Sequence, residues 1–205
     1  MQNIIYLPGW LNDAKCLEGI AELVGGDYSL LNLPSDKVRT VPEMARFVSE
    51  NIKQQAWIVG HSFGGKIAIA TAVLYPEKVS GIIIVSGSNR GRLIFRLLKP
   101  AIKLAKWMGF SGTRFQAADY KNSSLVLKKV MQKTLAFNIF PFARRVKCPA
   151  TFVYGGYDKV TPPKLGKKLA RMANGKFYEL AGFNHNTIIE SGAYQVAAII
   201  KSALQ

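Results

Sequence analysis

Short apolar segments alternate with segments of helical periodicity along most of this 205-residue chain. The apolar segments are rich in Ile, Val, Leu and Tyr and are continuous, which is typical of strands buried on both faces of a parallel sheet. They span residues 3–7, 28–33, 56–60, 81–86, 150–154 and 176–180. Six such strands joined by helices predict an α/β fold with a doubly wound, mostly parallel six-stranded sheet.

One interval is too long for a single crossover helix. About sixty residues separate the fourth strand from the fifth, and they contain two segments of helical character, residues 93–108 and 123–137. We therefore predict a helical cap inserted at residues 89–146. The core would then consist of residues 1–88 and 147–205, a length that suits one domain.

The segment with the most specific chemistry is Gly60-His61-Ser62-Phe63-Gly64, between the third strand and a helical segment. A Gly-x-Ser-x-Gly sequence in a strand–turn–helix context is the pattern of a nucleophile elbow, which exposes the serine hydroxyl on a strained turn. The two glycines let the helix pass close to the strand. The sequence thus predicts that Ser62 is a nucleophile.

With this motif the chain resembles the α/β-hydrolase family, as a small capped serine hydrolase of the carboxylesterase or thioesterase type. The loop after the fifth strand contains Asp158 and is similar to the family's loop for the acid of the catalytic triad. The loop after the sixth strand contains His185 and is similar to the loop for the histidine. The order Ser62, Asp158, His185 is the family's order. The resemblance also implies a core that lacks the family's first two strands.

Elementary chemistry gives each of these residues a role. A serine hydroxyl needs a base within hydrogen-bond reach, and imidazole, with a pKa near neutrality, is the usual one. The chain has two histidines, and His61 adjoins the nucleophile, so we expect its side chain to point away and to be structural. His185 can turn back toward Ser62. Asp158 would then hold the second nitrogen of His185 and stabilise the imidazolium.

An ester hydrolase also needs hydrogen-bond donors for the oxyanion. The amide of Phe63, directly after the nucleophile at the start of a helix, is the first candidate. The resemblance places the second donor in the loop after the first strand, at the amide of Trp10. In the family this loop often begins with histidine, whereas Pro8 stands here, and Gly9 still permits the tight turn.

These residues predict cleavage of a carboxylic ester or thioester through an acyl-enzyme, without a cofactor. No metal site is expected, because Cys16 and Cys148 lack metal-site spacing; we predict that both are buried free thiols. Relatives with the same triad also support carbon–carbon bond hydrolysis or lyase chemistry. The residues equally leave open a membrane-associated, lipase-like esterase and a non-catalytic ligand-binding homologue.

The formal net charge of +16 is unevenly distributed. Residues 90–147 contain fourteen of the 28 Lys and Arg but one of the 12 acidic residues. This basic cap could dock an acidic carrier protein, contact an anionic membrane surface, or serve solubility. No recognition module for nucleic acid is present, and the sequence does not indicate the oligomeric state. Residues 1–8 contain no basic leader and too short an apolar run for a signal peptide, which predicts a cytoplasmic protein.

Overall fold

Six strands form one parallel sheet in the computed structural model, which describes residues 2–10, 12–35, 39–88 and 137–205. The strands are β1 (Asn3–Leu7), β2 (Tyr28–Leu30), β3 (Ala56–His61), β4 (Val79–Val85), β5 (Ala150–Gly155) and β6 (Lys176–Leu180). Their order across the sheet is β2-β1-β3-β4-β5-β6, and all neighbouring pairs are parallel. The predicted six-stranded parallel sheet is confirmed.

Helices cover both faces of the sheet. They are α1 (Glu18–Val24), α2 (Val41–Glu50), α3 (Phe63–Leu74), α4 (Phe140–Ala143), α5 (Pro163–Met172) and α6 (Ala193–Leu204). Helices α1 and α6 contact each other over one face, whereas α2, α3 and α5 pack on the other. The sheet is therefore doubly wound, as predicted.

Two apolar clusters, one on each face, form the core. Ile5, Ile58 and Phe152 belong to the cluster under α2, α3 and α5, and Ile4 and Val59 belong to the cluster under α1 and α6. Successive residues of a strand point to opposite faces, so both must be apolar when both faces are covered. This is why the strands appear as continuous apolar segments in the sequence.

Helix α2 shows how local sequence sets an element's start. Thr40 is its N-cap, and its main-chain N–H donates to the Glu43 carboxylate at 2.6 Å, while the Glu43 amide donates to the Thr40 hydroxyl. This reciprocal capping satisfies two donors at the helix start. At the other end, the side-chain amide of Asn51 donates to the carbonyl of Phe47, and the helix ends at Glu50.

The predicted cap lies outside the described residues from 89 to 136, and with it both predicted cap helices except for Phe137. The following residues pack on the core: α4 contacts α3 and α5, and Ile139 and Ala143 are buried. Among the described helices, none has the length and apolar character needed to cross a membrane. The prediction of a buried thiol is wrong for Cys16, which is exposed, and Cys148 is half-buried.

Parallel strands place their carboxyl ends at one edge of the sheet. Strands β3, β5 and β6 end there at His61, Gly155 and Leu180. The loops that follow them contain Ser62, Asp158 and His185, so the topology brings the predicted site residues to one edge.

Candidate active site

Ser62 lies on the sharp turn between β3 and α3. Its backbone has φ 51° and ψ −110°, in the left-handed region that residues other than glycine rarely adopt. The amide of Ser62 donates to the carbonyl of Val85 at 2.9 Å, and its carbonyl accepts from the amide of Ser88 at 2.9 Å. These two bonds, one to the last residue of β4 and one to the loop that follows it, hold the strained turn in place.

The two glycines of the motif allow strand and helix to approach closely. A Cβ atom at Gly60 would lie 2.5 Å from the backbone of Gly64, and one at Gly64 would lie 2.3 Å from the carbonyl oxygen of Leu7. No side chain fits at such distances from backbone atoms. The motif is therefore required by packing, and it places the hydroxyl of Ser62 at the edge of the sheet.

His185, in the loop between β6 and α6, contacts the other two predicted triad residues. Its Nε2 is 3.0 Å from the Oγ of Ser62, and its Nδ1 is 2.8 Å from an oxygen of Asp158. A carboxylate only accepts, so the proton of the neutral ring is assigned to Nδ1, which leaves the Nε2 lone pair toward Ser62. The structure thus brings Ser62, His185 and Asp158 together in one hydrogen-bonded chain.

Asp158 follows β5, and its side chain is fully buried. One oxygen accepts from the amides of Val160 and Thr161 at 2.8 and 2.7 Å, and the other accepts from His185 and from the Thr161 hydroxyl. Burial acts to raise the pKa of Asp158, but the hydrogen bonds from His185 and Thr161 outweigh it and hold the pKa at about 2. The carboxylate is therefore ionised at neutral pH.

Thr161 is a site residue that the sequence reasoning did not single out. Its hydroxyl lies 2.7 Å from the Asp158 carboxylate, 3.0 Å from the carbonyl of Ser86 and 3.1 Å from Nδ1 of His185. The hydroxyl has a single proton, which the Asp158 carboxylate and the Ser86 carbonyl share or accept in turn, so Thr161 lies as a bridge between the acid and the residue after β4. A threonine three residues after the predicted acid was the available signal, because such a spacing permits a side chain to close back on a carboxylate.

The two predicted oxyanion residues lie side by side. Phe63 is the first residue of α3, so its amide has no acceptor within the helix. Trp10 follows β1, and its ring packs edge-on against the ring of Phe63 with centroids 5.4 Å apart. Gly9 lies close to the turn at Ser62, because a Cβ atom at Gly9 would be 3.4 Å from the Cβ of Ser62.

A cleft of about 330 Å³ opens beside these two residues. Its apolar lining includes Trp10, Leu33, Met44 and Phe63, and polar residues of the loops after β1 and β2 also border it. An apolar cleft with a few polar groups is the usual form of a small-molecule site. Both oxyanion candidates, Trp10 and Phe63, line this cleft, and Phe63 directly follows Ser62 in the chain.

A second histidine lies beside the first. His61, expected to point away from the site as a structural residue, is 1% exposed, and its ring centroid is 5.1 Å from that of His185. Its Nε2 donates to the main-chain carbonyl of His185 at 3.1 Å. Burial, and next the charge of His185, lowers the pKa of His61 to about 4, against the opposite effects of that hydrogen bond and of Asp158.

A buried lysine lies one turn of α3 beyond Ser62. Lys66 of α3 is 1% exposed, and its Nζ approaches the carbonyl of Phe137 at 3.5 Å. Burial lowers the pKa of Lys66 to about 8. Within the described residues, no group of three His, Cys, Asp or Glu side chains could hold a metal ion.

Comparison with known proteins finds relatives that are similar in sequence and solved structures that are similar in fold. A family model described as "alpha/beta hydrolase fold" matches residues 34–118. A hydrolase of Bacillus subtilis is 23% identical in an alignment that covers 90% of this chain and 83% of that protein. A pimeloyl-[acyl-carrier protein] methyl ester esterase of Wigglesworthia glossinidia brevipalpis is 22% identical, with coverage of 94% and 86%.

Solved structures share the fold. An esterase from Thermogutta terrifontis superimposes with a TM-score of 0.71 at 16% identity, covering 100% of this chain and 89% of that chain. A non-heme bromoperoxidase from Mycobacterium tuberculosis, assigned as putative in its description, superimposes with a TM-score of 0.73 at 17% identity, covering 98% and 91%. At these identities the likeness concerns the fold.

Proposed function

Because the chain belongs to the α/β-hydrolase fold family and is an enzyme of the hydrolase type, we propose that it cleaves a carboxylic ester or thioester through an acyl-enzyme at Ser62. One observation carries the proposal. An unbroken series of contacts, 3.0 and 2.8 Å long, runs from the hydroxyl of Ser62 through His185 to the carboxylate of Asp158.

The reaction would proceed in two halves. The Oγ of Ser62 attacks the acyl carbon while its proton passes to Nε2 of His185, and Asp158 stabilises the resulting imidazolium. The tetrahedral intermediate expels the alcohol or thiol, which takes that proton, and leaves the acyl group on Ser62. A water molecule deprotonated by His185 then attacks the acyl group, which releases the carboxylic acid and restores the serine.

The amides of Phe63 and Trp10 are the proposed donors for the oxyanion of both intermediates. The Phe63 amide is supported by its place at the first turn of α3, where helix N–H groups carry partial positive charge. The Trp10 amide is supported by the contact of its ring with Phe63. Removing one such donor from a hydrolase lowers kcat by about 10²- to 10³-fold.

We propose that the cleft beside Phe63 and Trp10 binds the acyl chain. Its volume of about 330 Å³ lies at the small end of ligand sites, which favours short or medium chains. Leu33 and Met44 supply apolar contacts. The helical cap at residues 89–146 is proposed as a lid over this opening, which rests on the length and helical character of that segment.

We propose that the substrate is an acyl group attached to an acidic carrier protein. Exposed basic residues continue from the predicted cap onto the described core, at Arg144, Arg145, Lys147 and along α5. Between residues 137 and 178 the acidic residue is Asp158, which is buried, so this surface has no neighbouring exposed acid within that range to neutralise it. The esterase named for an acyl-carrier substrate is consistent with such a partner. An anionic membrane surface is a second partner that the same charge supports.

A panel of acyl esters and thioesters of increasing chain length tests the proposal. We expect hydrolysis by the wild-type protein and a loss of about 10⁴-fold or more in kcat for Ser62→Ala. The matched control is Ser49→Ala, which removes a serine hydroxyl of α2 that bonds to the carbonyl of Arg46. Equal turnover by the Ser62→Ala and wild-type proteins would refute the acyl-enzyme, and loss of turnover in both serine variants would indicate a folding defect.

A further inference from the structure

His61 has no part in the proton transfers described above, yet its ring centroid lies 5.1 Å from that of His185. It is the last residue of β3, and its side chain is 1% exposed. The titratable groups that face it are His185 and Asp158. Burial of a polar imidazole ring destabilises the folded state unless its nitrogens form hydrogen bonds.

The contact with His185 fixes the protonation of His61. A main-chain carbonyl only accepts, so the bond of 3.1 Å from Nε2 of His61 to the carbonyl of His185 requires a proton on Nε2. The other nitrogen, Nδ1, is buried and has no hydrogen-bond partner among the described residues. Placing a second proton on Nδ1 would bury an unpaired charge close to His185. The ring is therefore neutral, with its proton on Nε2.

The bond from His61 holds the main chain of His185 itself. The neighbouring bonds of the loop are local: the Asn184 side chain accepts from the amides of Asn186 and Thr187. The carbonyl of Phe183 accepts from the amide of Tyr157 at 2.9 Å. Within the described part of the chain, the bond from His61 is the one hydrogen bond that reaches the main chain of His185.

We propose that His61 is a positioning residue, which holds the main chain of His185 so that the imidazole reaches Ser62 and Asp158 at once. The two ring contacts of His185 span 3.0 and 2.8 Å, so a small shift of its backbone lengthens at least one of them. Because His61 stays neutral, it supports the base without adding a like charge beside the imidazolium. This inference rests on the proposed function for its kinetic readout but not for its spectroscopic one.

Two substitutions separate the hydrogen bond from the packing. His61→Gln keeps a neutral side-chain N–H donor, whereas His61→Phe keeps an aromatic ring and removes the donor. Tyr6→Phe is the matched control, since it removes a buried hydroxyl that has no partner among the described residues, on the adjacent strand β1. All three proteins are compared with the wild type by thermal unfolding, so that a folding defect is recognised.

For His61→Phe we expect kcat on a small activated ester to fall by about 10- to 100-fold with little change in KM. His61→Gln should restore kcat to within about threefold, and Tyr6→Phe should equal the wild type. Turnover by His61→Phe within twofold of the wild type would overturn the proposal. So would a folded His61→Gln protein that is as slow as His61→Phe.

Nitrogen-15 NMR of the histidine rings tests the same inference without any turnover. We expect a neutral His61 with its proton on Nε2 at pH 7, and a His185 Nδ1–H resonance that weakens or moves in His61→Phe but not in His61→Gln. A proton on Nδ1 of His61, or an unchanged His185 signal in His61→Phe, would contradict the positioning role. If the wild type hydrolyses no ester while these signals behave as expected, the proposed function fails and the positioning of His185 stands.

Discussion

The contacts of Asp158 show how single residues prepare the site. Its carboxylate is fully buried, yet two amides, one hydroxyl and one imidazole surround it. Hydrogen bonds to a charged group each stabilise it by about 1.5–3 kcal/mol, enough together to exceed the effect of burial. The carboxylate is thus ionised and already hydrogen-bonded to His185, as the proposed triad requires.

Thr161→Val should disturb this arrangement without removing a triad residue. Valine has a similar shape but no hydroxyl, so Asp158 loses one bond and its pKa rises. We expect kcat to fall by about 10-fold, and Thr161→Ser should recover most of it because the hydroxyl is retained. Steady-state kinetics on the purified variants measure both effects. Equal kcat in Thr161→Val and the wild type would show that the hydroxyl does not support the acid.

The low pKa of His61 predicts a loss of stability in mild acid. The pKa is about 4 in the folded protein, whereas the unfolded chain takes up the proton near pH 6.5. Because the pKa of His61 is lower in the folded than in the unfolded protein, protonation favours the unfolded state. The contribution of His61 to the free energy of unfolding is therefore fully present above about pH 6.5 and declines by about 3 kcal/mol as the pH falls to about 4. Urea unfolding at several pH values between 7 and 4 measures this decline.

In His61→Gln this decline should be smaller, because no proton can bind at that position. The two proteins differ only at this position, so the difference between the two curves isolates the contribution of His61. Identical curves for the two proteins would show that His61 is not held neutral in the folded state.

At the scale of secondary-structure elements, the close approach of α3 to β1 and β3 sets the position of Ser62, the proposed nucleophile. Gly60 and Gly64 occupy points where backbone meets backbone, and neither has room for a methyl group. The helix start thus lies directly behind Ser62. Its first amide is that of Phe63, which has no acceptor within the helix.

Gly64→Ala should therefore destabilise the protein. The new Cβ would meet the carbonyl oxygen of Leu7 at 2.3 Å, and backbone cannot move aside as a flexible side chain can. We expect a loss of about 3 kcal/mol in the free energy of unfolding. Gly19→Ala in α1 is the control, because nothing lies within 4 Å of its Cβ; it should be stabilising by about 0.5 kcal/mol. Equal effects of the two substitutions would contradict the packing argument.

Substitutions on helix α5 test whether an acidic carrier protein binds this surface. Its exposed residues Lys164, Lys167, Lys168 and Arg171 form a basic face. If an acidic carrier docks there, Lys164→Glu with Lys168→Glu should lower kcat/KM for an acyl-carrier substrate by about 10-fold. Turnover of a small activated ester should not change.

Lys201→Glu on α6 is the control, because α6 covers the opposite face of the sheet. Loss of turnover with both substrates would indicate damage to the site. Unchanged kcat/KM for the carrier substrate would remove α5 from the docking surface.

For the whole molecule, the sequence predicted the sheet because both of its faces are buried. The predicted segments matched all six strands, two of them, Asn3–Leu7 and Lys176–Leu180, with the observed bounds. Strand β6 differs from the continuous apolar pattern: it lies at the edge of the sheet, contains Lys176 and Glu179, and has no buried residue. Strand β4 begins two residues earlier than predicted, at Val79, since Ser80 interrupts the apolar segment while its backbone still continues the strand. Ser62, Asp158 and His185 were recognisable because each follows a strand at the same edge of the sheet.

The contacts of His61 and Thr161 could not be read from sequence in the same way. His61 meets the carbonyl of a residue 124 positions away, a contact set by how two loops fold over the strand ends. Thr161 bonds to the carbonyl of Ser86, 75 positions away, for the same reason. Motifs specify local geometry, whereas these bonds depend on the relative position of elements that are distant in sequence.

Labelling with a fluorophosphonate tests the central claim most directly, because this reagent modifies a serine only where a base activates it. We predict one label per folded wild-type molecule, located at Ser62 by mass spectrometry of peptides. Labelling should disappear in Ser62→Ala, fall strongly in His185→Ala and persist in Ser49→Ala. A folded wild-type protein that takes up no label, or one labelled at another serine, would contradict the assignment of Ser62 as the nucleophile.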